Sequence, residues 1–78
     1  MYAIKCAETE MFASKKSGIA PHLDFFDRAL IFETLIEADI KLAAFFEWWA
    51  ANYPTRLRDF TYRVVRTENY VVSSIMES

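Results

Sequence analysis

A chain of 78 residues with 54% hydrophobic and 17% aromatic side chains forms one globular domain rather than a disordered segment, and holds more apolar material than so small an interior shelters. A formal net charge of −2 excludes both a nucleic-acid binder held by bulk positive charge and a strongly acidic nucleic-acid mimic. One cysteine and one histidine exclude an internal disulfide and a Cys/His metal cage.

Tyr2, Ile4 and Cys6 alternate with Ala3, Lys5 and Ala7, the period of a β-strand with one apolar face. This opening has no charged-then-apolar signal layout. Thr9-Glu10 reads as a tight turn into a second strand over residues 11–15. Lys16, Ser17, Gly18 and Pro21 mark a loop. The apolar run at residues 29–32 is too short for a helix of its own and reads as a buried strand.

The sharpest local signal is Thr34-Leu35-Ile36-Glu37. It fits a capping box, in which Thr accepts from the third helical amide and Glu returns to the cap amide. A helix is predicted from Leu35 to about Asn52, ended by Pro54 and roughly 27 Å long. Its most apolar stretch, LAAFFEWWAA, contains Glu47 and is about half the length that spans a bilayer. Beyond TRLRDF, the segment TYRVVRTENYVVSS is rich in β-branched and aromatic residues. It reads either as a hairpin turning at residues 67–69 or as one long strand. The expectation is an α+β fold, four to five antiparallel strands with one long helix on one face, in the order β-β-β-α-β-β.

FFEWWAANY places five aromatic rings in nine positions, and at about 100° per residue they cannot all face one core. Leu35, Ala38, Leu42, Phe45, Phe46, Trp49 and Tyr53 share one broad sector, the predicted core stripe. Trp48 falls outside it and shares a second stripe with Ile40, Ala44 and Ala51. Lys41 and Glu47, with Glu37, flank that stripe, an apolar centre with a charged rim suited to docking. The competing expectation is that the loop of residues 16–28, through Ile19, Leu23, Phe25 and Phe26, covers Trp48 and makes it ordinary core.

Catalysis finds little support. There is no glycine-rich phosphate loop, G-x-S-x-G elbow or H-E-x-x-H. Cys6 sits on the apolar side of its strand, where a thiol acts as a small hydrophobe. His22 follows Pro21 in a polar loop and reads as solvated. Asp24 and Asp27 read as a solvated turn rather than a cation site. No enzyme activity, cofactor or metal is expected. The alternative to protein docking is a nucleic-acid-binding sheet. It would use Tyr62, Arg63 and Arg66, with Arg56 and Arg58 nearby, in a tail with four arginines against three acids.

The order of these motifs resembles short phage- and prophage-encoded proteins of unknown function. The residues that carry the likeness are Ile4, Lys5, Phe12, Ala29, Ile31, Phe32, Thr34, Glu37 and Ala38, over about half the chain. The resemblance implies a small α+β accessory protein that inhibits or modulates a host protein, for instance a defence system, by steric binding. It transfers no site residues, and the WW-containing helix and arginine-bearing tail depart from the shorter pattern. The sequence reading is therefore a cytoplasmic, non-enzymatic binding module. Its partner is a host protein or a second copy in a homodimer, met through Ile40, Lys41, Ala44, Glu47 and Trp48.

Overall fold

The computed structural model describes residues 1–18 and 20–70, with the backbone alone for residues 57–59. Strand β1, Tyr2–Cys6, lies inside the sheet. On one side it pairs antiparallel with β2, Phe12–Ala13, through Lys5 opposite Phe12. On the other it pairs with β4, Tyr62–Arg66, over five residues from Tyr2↔Arg66 to Cys6↔Tyr62. Beyond β2 lies β3, Leu23–Asp24. Among the described residues the sheet therefore has four strands in the order β3-β2-β1-β4.

The alternation in β1 is real, but both of its faces are covered. Ile4 and Cys6 point to the helix side, where Ala13, Phe45 and Tyr62 complete a buried cluster. Ala3 points the other way, into a smaller cluster with Phe12 and Ala29, against which Phe26, Val65 and Tyr70 pack.

Helix α1 spans Leu35–Asn52, the predicted bounds. The Thr34 hydroxyl accepts from the Glu37 amide at 3.2 Å, satisfying one of the orphan donors of the first turn. Only half of the capping box forms, because no return bond from the Glu37 carboxylate to the Thr34 amide accompanies it. At the far end the Tyr53 amide donates to the Trp49 carbonyl, and Pro54 opens a 3₁₀ turn, Pro54–Asp59, that leads into β4.

The strand expected at residues 29–32 does not form. Ala29 bridges Ser14 and Phe32 bridges Tyr2, so this segment crosses the end of the sheet instead of running along it. Its apolar side chains serve different places: Ala29 lies under the sheet, Phe32 packs on the helix side, and Ile31 is exposed. The third strand is the two-residue β3, too short for periodicity to reveal. After β4 the Tyr70 amide donates to the Thr67 carbonyl and the Tyr70 ring meets Phe12 edge-on at 5.0 Å. The second arm of the alternative hairpin, from residue 71 onward, lies outside the described residues.

Candidate functional site

Two of the four strands are only two residues long, so the sheet shelters a narrow arc of α1. Ala38 and Phe45 are fully buried, and Leu42 and Trp49 pack against the core. The predicted stripe was too wide. Leu35, Phe46 and Tyr53, assigned to it on the wheel, are 48%, 37% and 49% exposed.

The rest of α1 forms an outer face. Ile36 and Ile40, one turn apart, are 72% and 67% exposed. Leu35, Ala43, Phe46 and Ala50 are exposed beside them. This apolar strip is centred about 100° round the helix from the predicted row of Ile40, Ala44 and Trp48. Of that row, Ile40 alone is fully on the surface, while Ala44 and Trp48 are half-buried. Glu47 is exposed, but Lys41 is drawn inward. Its ammonium donates to the Gly18 carbonyl at 2.7 Å and lies 5.4 Å from the centre of the Phe45 ring.

Trp48 is half-buried, where the docking reading expected it to be exposed. Its indole stands edge-on to Trp49 with centroids 5.1 Å apart and lies 5.6 Å from Tyr53. Both of these rings belong to the end of its own helix. Phe25 of the loop is 69% exposed, Phe26 packs on the opposite side of the sheet, and Leu23 joins the helix-side core. Ile19 lies outside the described residues.

The charges along α1 are unbalanced. Asp39 and Glu47 are exposed within the strip and Glu37 beside it, whereas Lys41, the helix's one base, is engaged with Gly18. The outer face is therefore an apolar strip crossed by acidic side chains.

Of the five residues of the nucleic-acid alternative, the four whose side chains are described are not brought together. Tyr62 faces the helix and is 5% exposed, and its hydroxyl accepts from Trp49 Nε1 at 3.0 Å, so its ring offers no platform for a base. Burial holds its phenol above the ordinary tyrosine range. Arg66, opposite Tyr2, follows the same side of the sheet as Tyr62, while Arg63, opposite Lys5, takes the other. Arg56 lies in the 3₁₀ turn, and the Arg58 side chain lies outside what is described. The alternation of β4 separates residues that adjacency in sequence had grouped.

The remaining candidates have local structural roles. Cys6 is buried, and its Sγ lies 3.6 Å from Glu8 Oε1. The same carboxylate oxygen accepts from the Thr61 amide at 2.6 Å, joining the end of β1 to the start of β4. His22 is exposed, but its Nδ1 lies 2.7 Å from Ser14 Oγ, which also accepts from the Lys16 amide. Ser17 Oγ donates to the His22 carbonyl and accepts from its amide. Ser14 is buried, so these bonds close a loop around a hydroxyl that faces no solvent. The Asp24 carboxylate accepts from the Phe25 amide at 2.7 Å and pairs with Arg28 at 3.5 Å.

Glu8 and Asp24 both titrate below the ordinary carboxylate range. The main causes are the Thr61 amide for Glu8, and the Phe25 amide followed by Arg28 for Asp24. A carboxyl with a depressed folded-state pKa adds stability that is present above its unfolded value, about 4.3 for Glu, and is lost as pH falls through the folded value. Thermal midpoints measured from pH 7 downward should therefore fall below about pH 4.5. Glu8→Gln should show a shallower acid slope, and an unchanged slope would mean that the Thr61 contact adds nothing.

No protein-family model matches the chain, and no curated protein or solved structure matches it. Among the described residues no helix is long and apolar enough to cross a membrane.

Proposed function

We propose that this protein is a non-enzymatic docking module whose outer helix face engages a partner protein. The observation that carries the reading is the exposure of Ile36 and Ile40 on one face of α1, continued by Leu35 and Phe46. An 18-residue helix presenting such a row offers the i, i+4 anchors of helix-in-groove recognition, and contiguous exposed apolar surface of this kind marks interaction sites.

The acids of this face select the partner's chemistry. In an antiparallel pair of these helices centred on Ala43, Asp39 of one copy faces Glu47 of the other. In a parallel pair each acid faces its own counterpart. Like-charge apposition disfavours a homodimer through this face, so the fitting partner is an apolar surface interspersed with Lys or Arg. The phage-like layout of the first half of the chain supports the setting: a host protein, such as a component of a defence system, blocked by steric occupation.

The test is the double variant Ile36→Asp/Ile40→Asp. Asp and Ile have similar helix propensities, and exposed substitutions shift stability by about 0.5 kcal/mol or less, so circular dichroism and thermal midpoint should stay near wild type. The wild-type protein should run as a monomer in light scattering and retain a basic partner from host lysate in a salt-sensitive manner. The double variant should lose that partner. Equal retention by both, or retention of nothing by either, would remove this face as the docking site. A wild-type dimer abolished by the double substitution would make a second copy the occupant.

A further inference from the structure

The sheet face turned away from α1 carries a feature the docking reading does not use. Lys5 and Arg63 stand directly opposite each other on adjacent strands, and both project to the side of Val65, Phe12 and Tyr70. Like charges in facing positions of an antiparallel pair repel. Among the described residues neither is in ion-pair contact with a carboxylate. The Lys5 ammonium lies 5.4 Å from the centre of the Tyr70 ring, which holds the cation beside the aromatic cluster of Phe12, Phe26 and Tyr70. A pocket of about 250 Å³ opens here, lined by Lys5, Arg63, Tyr70 and Glu10 among others. Glu10 reaches it from a left-handed backbone conformation, φ 58°, uncommon for a residue with a side chain.

We infer that this pocket binds a phosphate ester of a nucleotide, with the phosphate bridging Lys5 and Arg63. An anion between the two cations turns their repulsion into two charge-assisted hydrogen bonds, and the fork of Arg63 suits a phosphate's paired oxygens. Glu10 is placed to accept from a hydroxyl or amine of the same ligand, a demand inorganic phosphate does not meet. Tyr70 provides an apolar wall for a base. This pocket lies across the sheet from the helix face, so the inference stands independently of the docking function.

The experiment is an amide NMR titration of the full chain at low salt with inorganic phosphate, AMP and a single-stranded oligoadenylate. AMP or the oligonucleotide should shift the amides of Lys5, Arg63 and Tyr70, with Lys5→Ala and Arg63→Gln each weakening binding about tenfold or more, as expected for a lost hydrogen bond to a charged group. Equal binding of AMP and the strand would assign a free nucleotide, and much tighter binding of the strand with a steep salt dependence would assign a nucleic acid. Arg63→Gln also relieves the repulsion, so its thermal midpoint without ligand should equal or exceed that of wild type. The inference is overturned if no amides in this pocket move, if inorganic phosphate binds as well as AMP, or if the two variants bind as wild type does. A markedly lower midpoint for Arg63→Gln would overturn it too, by making Arg63 a structural residue.

Discussion

Phe45→Ala should abolish stable folding near physiological temperature. The Phe45 ring is fully buried, the largest side chain among the described residues to be so, and it sits where α1 meets β1 and β4 beside Ile4, Cys6 and Tyr62. Truncating a buried phenylalanine costs about 3–5 kcal/mol, the lost transfer energy plus the cavity left behind. Stabilities of whole domains run about 5–15 kcal/mol, and a chain of this size sits low in that range. Urea unfolding followed by far-ultraviolet circular dichroism should show either no folded baseline or a midpoint reduced by most of its value. Phe45→Leu, which leaves a smaller void, should lose clearly less. If Phe45→Ala unfolds at the wild-type midpoint, the helix does not pack on the sheet as described.

The second large effect is expected at Tyr62, where two substitutions separate packing from hydrogen bonding. Its ring lies 6.1 Å from Phe45, 6.0 Å from Phe46 and 6.4 Å from Phe60, centre to centre. Tyr62→Ala empties the middle of this aromatic group at a cost of about 3–5 kcal/mol. Tyr62→Phe keeps the ring but leaves the Trp49 indole N–H without its acceptor, a part-buried donor whose loss costs about 1–3 kcal/mol. Tryptophan emission should report both, since Trp49 stacks on Phe60 at 4.9 Å and touches Trp48. A tyrosine displayed on a nucleic-acid-binding surface would behave otherwise, with Tyr62→Ala leaving the midpoint unchanged.

The helix was legible because its signals are local. A cap, an uninterrupted run of helix formers and a proline stop act within a few residues, and Thr34 and Pro54 carry them. Strand β1 was legible through its alternation, but the cover over Ala3 was not, because it comes from Phe12 and Ala29, distant in sequence. A helical wheel orders side chains by angle and says nothing of how wide the neighbouring sheet is. The wheel could therefore show that α1 has more apolar surface than one core needs, yet not that Ile36 would be exposed and Trp48 half-covered. Arg63 was singled out for its charge, but its cross-strand neighbour Lys5 depends on a register formed between the two ends of the domain. No pattern within either strand reports that register.

That register also sets the timing of folding. The central strand is made first, and the neighbour it pairs with most extensively lies about sixty residues later, Ile4 opposite Val64. At a synthesis rate of roughly 5–20 residues per second, about 3–12 s pass before β4 exists. During that interval one edge of β1 is an open template for any other extended segment. A topology dominated by such distant pairing folds slowly for its size, so the nascent chain, with β2 paired along the opposite edge of β1, leaves this edge open until β4 arrives.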